Sequence, residues 1–165
     1  MHYYDNPLNE ELSQVVVVDG MWFCTTKEIT RKYPFDEALL KGFHCYDLDF
    51  CFQVGQTHDI AVTFNILMEH YSEGSYKKDW WEDTLKLHDK WQKKLPLDLL
   101  NLSANTRFVI EKRAYRGMVY LLKEFGYSNG DLLSFYFKEK LRGRIGWQVY
   151  FKCNLVVWKR VLGIR

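Results

Sequence analysis

The sequence predicts an α/β protein with a strand-rich first part, residues 1 to about 78, and a mainly helical second part, about 79 to 165. Two β-branched runs predict strands in the first part, and apolar residues recur at helical spacing in the second. No flexible linker joins the two parts, so we expect the helices to pack on the sheet. A chain of 165 residues with 47% apolar residues suits one globular domain.

The strand predictions rest on two stretches of the first part. "SQVVVVDG", residues 13–20, contains four consecutive valines and predicts a strand that is buried on both faces. "HDIAVTFNILMEH" predicts a second strand from Ile60 to Met68. Between them, "KEITRKY", residues 27–33, predicts a short helix that Pro34 ends, because the residue before a proline avoids helical backbone angles.

The stretch "GFHCYDLDF", residues 42–50, fits two kinds of structure. In a strand, alternation puts Asp47 and Asp49 on one face. In a helix that starts near Asp47, the two acidic residues lie in the first turn, where they are favoured, and Gly55 ends the helix. The periodicity of the residues leaves both alternatives open.

The second part predicts helices only. Asp79 followed by Glu82 resembles a capping box, and it opens a helix that Pro96 ends. Three further helices are expected toward the C-terminus: Phe108 to Phe125, Leu132 to Leu141, and Trp147 to Leu162.

Composition and charge favour a cytoplasmic protein. The four cysteines form no CxxC pair, which is typical of reduced thiols, and the N-terminus lacks the layout of a signal peptide. No apolar run reaches the roughly 20 residues that cross a bilayer. The net charge of +2 argues neither for nor against a nucleic-acid partner, and we expect none because the chain has no recognisable binding module.

The C-terminal stretch is strongly basic. Residues 138–165 contain eight Lys or Arg and one Glu, and aromatic residues interleave with these charges at helical spacing. Such an amphipathic helix binds an anionic membrane surface, a protein partner or its own domain. Peripheral membrane contact through residues 144–165 is therefore one expectation among three.

Several polar residues lie where ligands are often bound. Asp19 and Gly20 follow the valine strand, and α/β sheets usually bind ligands at strand ends. Gly20 allows close backbone approach, and Trp22 offers a ring for stacking, although a tight turn explains the Asp-Gly pair equally well. Aromatic residues make up 17% of the chain, which fits either a sugar- or partner-binding surface or a bulky core.

Three segments, taken together, resemble a known family: "VVVVDGMWFCTTKEI", "FDEALLKGFHCYDLDFCFQ" and "DIAVTFNILMEHYSEGSYKKDWWE". In this order they are similar to the C-terminal half of a family 2-like glycosyltransferase domain of the GT-A fold. The resemblance covers about residues 13–82. It implies a partial GT-A-like mixed sheet with flanking helices, followed by the helical region.

The resemblance implies roles for particular residues. Asp47 falls on the second member of the family's Glu-Asp pair and is the expected catalytic base, while Tyr46 stands at the first. A base in a single displacement implies inversion during transfer from a nucleoside diphosphate sugar to a saccharide or lipid-linked acceptor. His70 is the expected ligand of a Mn²⁺ or Mg²⁺ cofactor. The expected substrate contacts come from five residues: Asp19, Gly20, Trp22, His44 and Asp49.

The resemblance also implies that the nucleotide-binding half of the domain is missing. We therefore expect a fragment that is inactive by itself and self-associates through an unpaired sheet edge. Two alternatives from other classes stay open. One is a non-catalytic module that binds a protein or a membrane, and the other is a metal hydrolase that uses Asp47, Asp49 and His70. The pattern Asp47-Leu48-Asp49 is formally a metal-binding D-x-D, but no aliphatic strand precedes it.

Overall fold

The fold is mixed α/β and divides into two compact units, Met1–Leu99 and Leu100–Arg165. The computed structural model describes residues 6, 8–71, 76–131, 134, 155, 158, 159 and 162–164. The first unit contains β1 (Leu12–Gln14), α1 (Lys27–Lys32), α2 (Tyr46–Val54), β2 (Ala61–Thr63) and α3 (Lys78–Trp91). The second contains α4 (Ala104–Glu124). The division follows Leu99, and α3 belongs to the first unit.

The sheet in the described residues is an antiparallel pair, β1 with β2, rather than a larger mixed sheet. Leu12 pairs with Thr63 and Gln14 with Ala61, and the amide of Val15 extends the ladder by one bond to the Ile60 carbonyl, at 2.9 Å. Both predicted strands are therefore much longer than the observed ones.

Beyond the end of each strand, a side chain accepts from a backbone amide. The amide of Val18 turns away from the ladder and donates to Cys51 Sγ of α2, at 3.4 Å. The valine run, residues 15–18, is consequently half-buried beside α2, and the prediction that it is buried on both faces is wrong. After β2, the amide of Asn65 donates to Thr63 Oγ1 at 3.3 Å, and the residues up to Met68 are not strand.

The helix predictions for the first unit are confirmed, with one correction. In α1, Thr26 Oγ1 caps the first turn by accepting from the Ile29 amide. Residues 46–54 are a helix, which decides between the two alternatives left open for that stretch. The predicted capping box of α3 is wrong: Lys77 is the N-cap, and it makes no side-chain cap bond.

The long helix α4 begins earlier than predicted, because Ser103 caps it. Ser103 Oγ accepts from the Thr106 amide at 3.2 Å. The helix α4 ends where the sequence predicts. Gly126 has a φ of 80°, and the Tyr127 amide donates to the Leu122 carbonyl at 3.0 Å. The two last predicted helices, residues 132–141 and 147–162, and the basic stretch lie outside the described residues except at isolated positions. No helix in the described part of the chain is long and apolar enough to cross a bilayer.

The core of the first unit joins α2 to α3. It is built from Leu40, Cys45, Leu87 and Trp91, with Leu48 and Phe52 among the half-buried residues packed against it. Burial of these side chains is the main force that holds the two helices together. The start of α2 is thereby fixed relative to α3.

Self-association remains a prediction, and the short sheet supports it. In the described residues, β1 and β2 each have one unpaired edge, and Leu12 is 62% exposed. Open edges pair with other chains unless charges discourage it. We expect light scattering to detect dimers or larger species at high concentration, and we expect Leu12→Lys to shift the protein toward monomer. A wild-type monomer across the concentration series would contradict this prediction.

Candidate functional site

The chain enters α2 through a left-handed residue. Cys45, the N-cap of α2, has a φ of 63°, and a non-glycine residue rarely adopts this conformation without support from its surroundings. The support is packing: the Cys45 side chain is buried, and its Sγ lies 3.6 Å from Thr84 Oγ1 of α3. This turn brings Tyr46 and Asp47 to the first turn of the helix.

Asp47 is half-buried, and its carboxylate is oriented by two backbone amides. Oδ2 accepts from the Gly20 amide at 2.8 Å, and Oδ1 accepts from the Leu48 amide at 2.9 Å. An ionised carboxylate offers about four lone-pair positions, so acceptor capacity remains on both oxygens. The side chain is held in one orientation and can still accept a hydrogen bond from a bound hydroxyl.

Gly20 is required by its neighbours in α2. A Cβ at this position would lie 2.5 Å from the Tyr46 hydroxyl oxygen and 3.2 Å from Asp47 Cβ. The Tyr46 hydroxyl donates to the Gly20 carbonyl over a long 3.4 Å. The close approach that the sequence predicts for Gly20 is therefore an approach to Tyr46 and Asp47; contact with a sugar stays a prediction.

Gly20→Ala is expected to lower the free energy of unfolding by about 1–3 kcal/mol, because the rigid Tyr46 ring must move to admit the methyl group. Gly117→Ala is the matched control. Nothing lies within 4 Å of a Cβ there, in the interior of α4, so we expect an unchanged or slightly higher stability. Urea denaturation measures both variants, and equal effects would contradict the packing described for Gly20.

Asp19 and Trp22 belong to the same turn. Asp19 Oδ1 accepts from the Met21 amide at 2.8 Å, which makes an Asx turn and accounts for the Asp-Gly pair locally. The Asp19 side chain is exposed, and Trp22 is 48% exposed. Both side chains are accessible to a ligand.

The Tyr46 hydroxyl remains a hydrogen-bond donor to high pH. Burial raises the pKa of Tyr46, and the nearby carboxylates of Asp47 and Asp19 raise it further, since both oppose ionisation of the phenol. The phenol therefore keeps its proton, which it donates to the Gly20 carbonyl, and it lies beside two carboxylates that accept hydrogen bonds.

An aromatic cluster extends from the core to the surface beside this group: Phe23, Phe35, Phe43, His44, Tyr46 and Phe50. Phe50 is buried, and its ring centroid lies 5.3 Å from that of Phe35. The Phe43 centroid lies 5.9 Å from that of Tyr46, yet Phe43 is 82% exposed. A large exposed ring on a rigid base is a feature of binding surfaces.

His44 lies at the edge of the aromatic cluster. Its ring centroid is 6.2 Å from that of Phe43, and its Nε2 is 3.7 Å from Asp79 Oδ2 at the start of α3. The side chain is 23% exposed. His44 therefore borders the aromatic cluster, and its role as a substrate contact stays a prediction.

Asp49 lies in the interior. It is 1% exposed, and Oδ1 accepts from Trp91 Nε1 at 2.7 Å. Oδ2 accepts from Lys90 Nζ at 2.9 Å and from Gln53 Nε2 at 2.8 Å. A substrate has no access to this carboxylate, so the structure gives no support to a substrate contact by Asp49. Its carboxylate instead joins α2 to α3.

Lys90 extends this network to a third segment. Its Nζ also lies 2.7 Å from Asp36 Oδ2, in the turn that precedes α2. Burial by itself lowers the pKa of Lys90, but the hydrogen bonds with Asp36 and Asp49 more than offset burial and raise it. The hydrogen bond from Lys90 in turn lowers the pKa of Asp36. No local pattern in the sequence marks Lys90, because its partners are 41 and 54 residues away in the chain.

His70 is exposed, and residues 72–75 that follow it lie outside the described part of the chain. Within the described residues, no group of three or more His, Cys, Asp or Glu side chains fits a metal ion. The structure thus joins Asp19, Gly20 and Asp47 in one group, whereas the metal role of His70 stays a prediction.

A separate cavity of about 250 Å³ lies at the other end of α2. Its walls include Phe52 and Trp91 from the helices and Val15 and Ile60 from the sheet side. Asp47 does not line it. This cavity is a second candidate location for a small ligand in the first unit.

Two buried thiols next to the site predict an alkaline loss of stability. Burial raises the pKa of Cys45 and of Cys51 above the ordinary 9.0. As the pH rises, the thiols of the unfolded chain therefore lose their protons before those of the folded chain do. The contribution of the two buried thiols to the free energy of unfolding is complete below about pH 9, and it is lost as the pH rises through the folded-state pKa. We expect the free energy of unfolding to fall above pH 9, by at most about 1.4 kcal/mol per pH unit and thiol. Urea denaturation between pH 8 and 10 checks this prediction. If the free energy of unfolding of Cys51→Ala fell with pH as steeply as that of the wild type, the prediction would be contradicted.

Comparison with known protein families, curated proteins and solved structures finds no match to the chain. A functional proposal therefore rests on the residues, their geometry and the resemblance of residues 13–82.

Proposed function

We propose that the first unit carries the acceptor side of a glycosyltransferase active site, with Asp47 as the base. The observation that supports this most is the half-buried carboxylate of Asp47, which backbone amides orient beside exposed aromatic rings. Donor and acceptor, a nucleoside diphosphate sugar and a saccharide or lipid-linked saccharide, come from the family resemblance of residues 13–82.

In the proposed reaction, Asp47 accepts the proton of an acceptor hydroxyl as its oxygen bonds to the anomeric carbon of the donor sugar. The bond from that carbon to the diphosphate oxygen breaks, and the nucleoside diphosphate departs with the bonding electrons. One displacement inverts the anomeric configuration. A positioned base contributes about 10²–10⁴-fold to such a step. Within the described residues, no group of three or more His, Cys, Asp or Glu side chains fits a metal ion, so the proposed steps involve only the residues of this chain.

The turn Asp19–Trp22 and the aromatic cluster provide the binding surface in this proposal. Phe43 offers an exposed ring on which the apolar face of a sugar can stack. Trp22 is a second exposed ring on the turn that binds Asp47. His44 borders this surface.

A saccharide titration followed by amide NMR tests the proposal on the full chain. The ligands are methyl glycosides of glucose, galactose, mannose and N-acetylglucosamine, and UDP- and GDP-sugars with Mn²⁺. We expect at least one ligand to shift the amides of residues 20–22 and 43–48. Shifts confined to residues that line the 250 Å³ cavity, or no shift with any sugar, would contradict the proposal.

A non-catalytic interaction module is the second candidate. Exposed apolar side chains that follow β2 favour it, since Leu67 is 80% and Tyr71 84% exposed. A module of this kind binds a protein or a membrane surface without a sugar. Co-sedimentation with anionic liposomes, in the absence of any amide shift with saccharides, would favour this candidate over the glycosyltransferase.

A further inference from the structure

The charge of the site constrains which sugars it accepts. Asp47 and Asp19 accept hydrogen bonds from the amides of Gly20 and Met21, each at 2.8 Å. These amides are consecutive, and neighbouring residues are about 3.8 Å apart in the chain. Two carboxylates therefore lie on one turn, next to the same phenol.

A sugar hydroxyl suits this arrangement better than a sugar carboxylate or phosphate does. A hydroxyl has a proton that it can donate to Asp47, whereas the single proton of Tyr46 is already donated to the Gly20 carbonyl. An anionic group at the same place accepts only, and it meets two like charges. The Phe43 ring, in contact with Tyr46, adds a surface for an uncharged sugar face.

We infer that the site selects an uncharged pyranose acceptor and disfavours uronic acids and phosphorylated sugars. This inference rests on the proposed function and specifies its substrate class. Each carboxylate at several ångströms in a partly hydrated site weakens the binding of an anion modestly. With both carboxylates present, we expect the neutral sugar to bind at least about fivefold more tightly than the uronate of the same sugar.

The test compares neutral and anionic sugars of the same ring. Amide NMR titrations use methyl β-D-glucopyranoside with methyl β-D-glucopyranosiduronate, and the corresponding galactose pair, at low salt and at 0.5 M NaCl. We expect the neutral sugar of each pair to bind more tightly at low salt. The ratio of its affinity to that of the uronate should fall at 0.5 M NaCl, because salt screens exposed charges. Asp19→Asn should tighten binding of the uronate and leave the neutral sugar nearly unchanged. Glu11→Gln, an exposed carboxylate before β1, is the charge-matched control and should change neither.

The outcomes separate this inference from the proposed function. Equal or tighter binding of the uronate, or no effect of Asp19→Asn on it, would overturn the selection of neutral sugars while leaving a saccharide site in place. Absence of binding by every sugar of either charge would overturn the site itself, and this inference with it.

Discussion

Asp49→Ala is expected to lower the free energy of unfolding of the first unit by about 3–5 kcal/mol. The carboxylate is 1% exposed and accepts from Trp91, Lys90 and Gln53. Its removal leaves a buried indole N–H without its acceptor and leaves the Lys90 ammonium with only Asp36. A small cavity adds to the cost.

The control for this variant uses the same lysine. Asp36 also binds Lys90, but its side chain is 29% exposed, and exposed ion pairs contribute at most about 1 kcal/mol. Asp36→Ala should therefore cost about 1 kcal/mol or less. Urea denaturation measures both, and a loss for Asp49→Ala no larger than that for Asp36→Ala would show that the buried carboxylate does not hold α2 on α3.

Asp47→Asn is expected to slow sugar transfer by about 10²–10⁴-fold, because an amide cannot accept the proton of the acceptor hydroxyl. The asparagine oxygen can keep the hydrogen bond from the Gly20 amide, so we expect stability and saccharide affinity to change little. The chain by itself is expected to be inactive, so it is first combined with the nucleotide-binding half of a GT-A domain. The measurement is then initial transfer from the donor panel to the saccharide that binds most tightly. The predicted signature is a fall in kcat with KM nearly constant.

Glu11→Gln serves as the charge-matched control for that experiment, with transfer expected at the wild-type rate. A parallel fall in saccharide affinity in Asp47→Asn would indicate a binding residue rather than a base. Undiminished transfer would exclude Asp47 from the chemical step.

The helices were predictable from local signals, and the strands were not. Pro34, Gly55 and Gly126 punctuate the chain where α1, α2 and α4 end, because backbone preference acts over a few residues. The valine run predicted a long strand, yet only its first amide joins the ladder. The Val18 amide binds Cys51, 33 residues away, and a pattern within one segment contains no information about such a partner.

The two aspartates show the same limit within the candidate site. Asp47 and Asp49 are two residues apart in one helix. Asp47 accepts from the Gly20 amide and stays accessible, whereas Asp49 is buried against α3. The sequence marked both as unusual because carboxylates are rarely found among apolar neighbours. Which one faces solvent depends on contacts 27 and 42 residues away, so only the fold could separate their roles.

A crystal structure of the chain with the tightest-binding saccharide tests the central claim most directly. We predict a sugar hydroxyl oxygen about 2.6–3.2 Å from a carboxylate oxygen of Asp47, the reach of a general base, with the Phe43 ring against the sugar. A saccharide bound in the cavity between Phe52 and Trp91, with no sugar atom in contact with Asp47, would contradict the account.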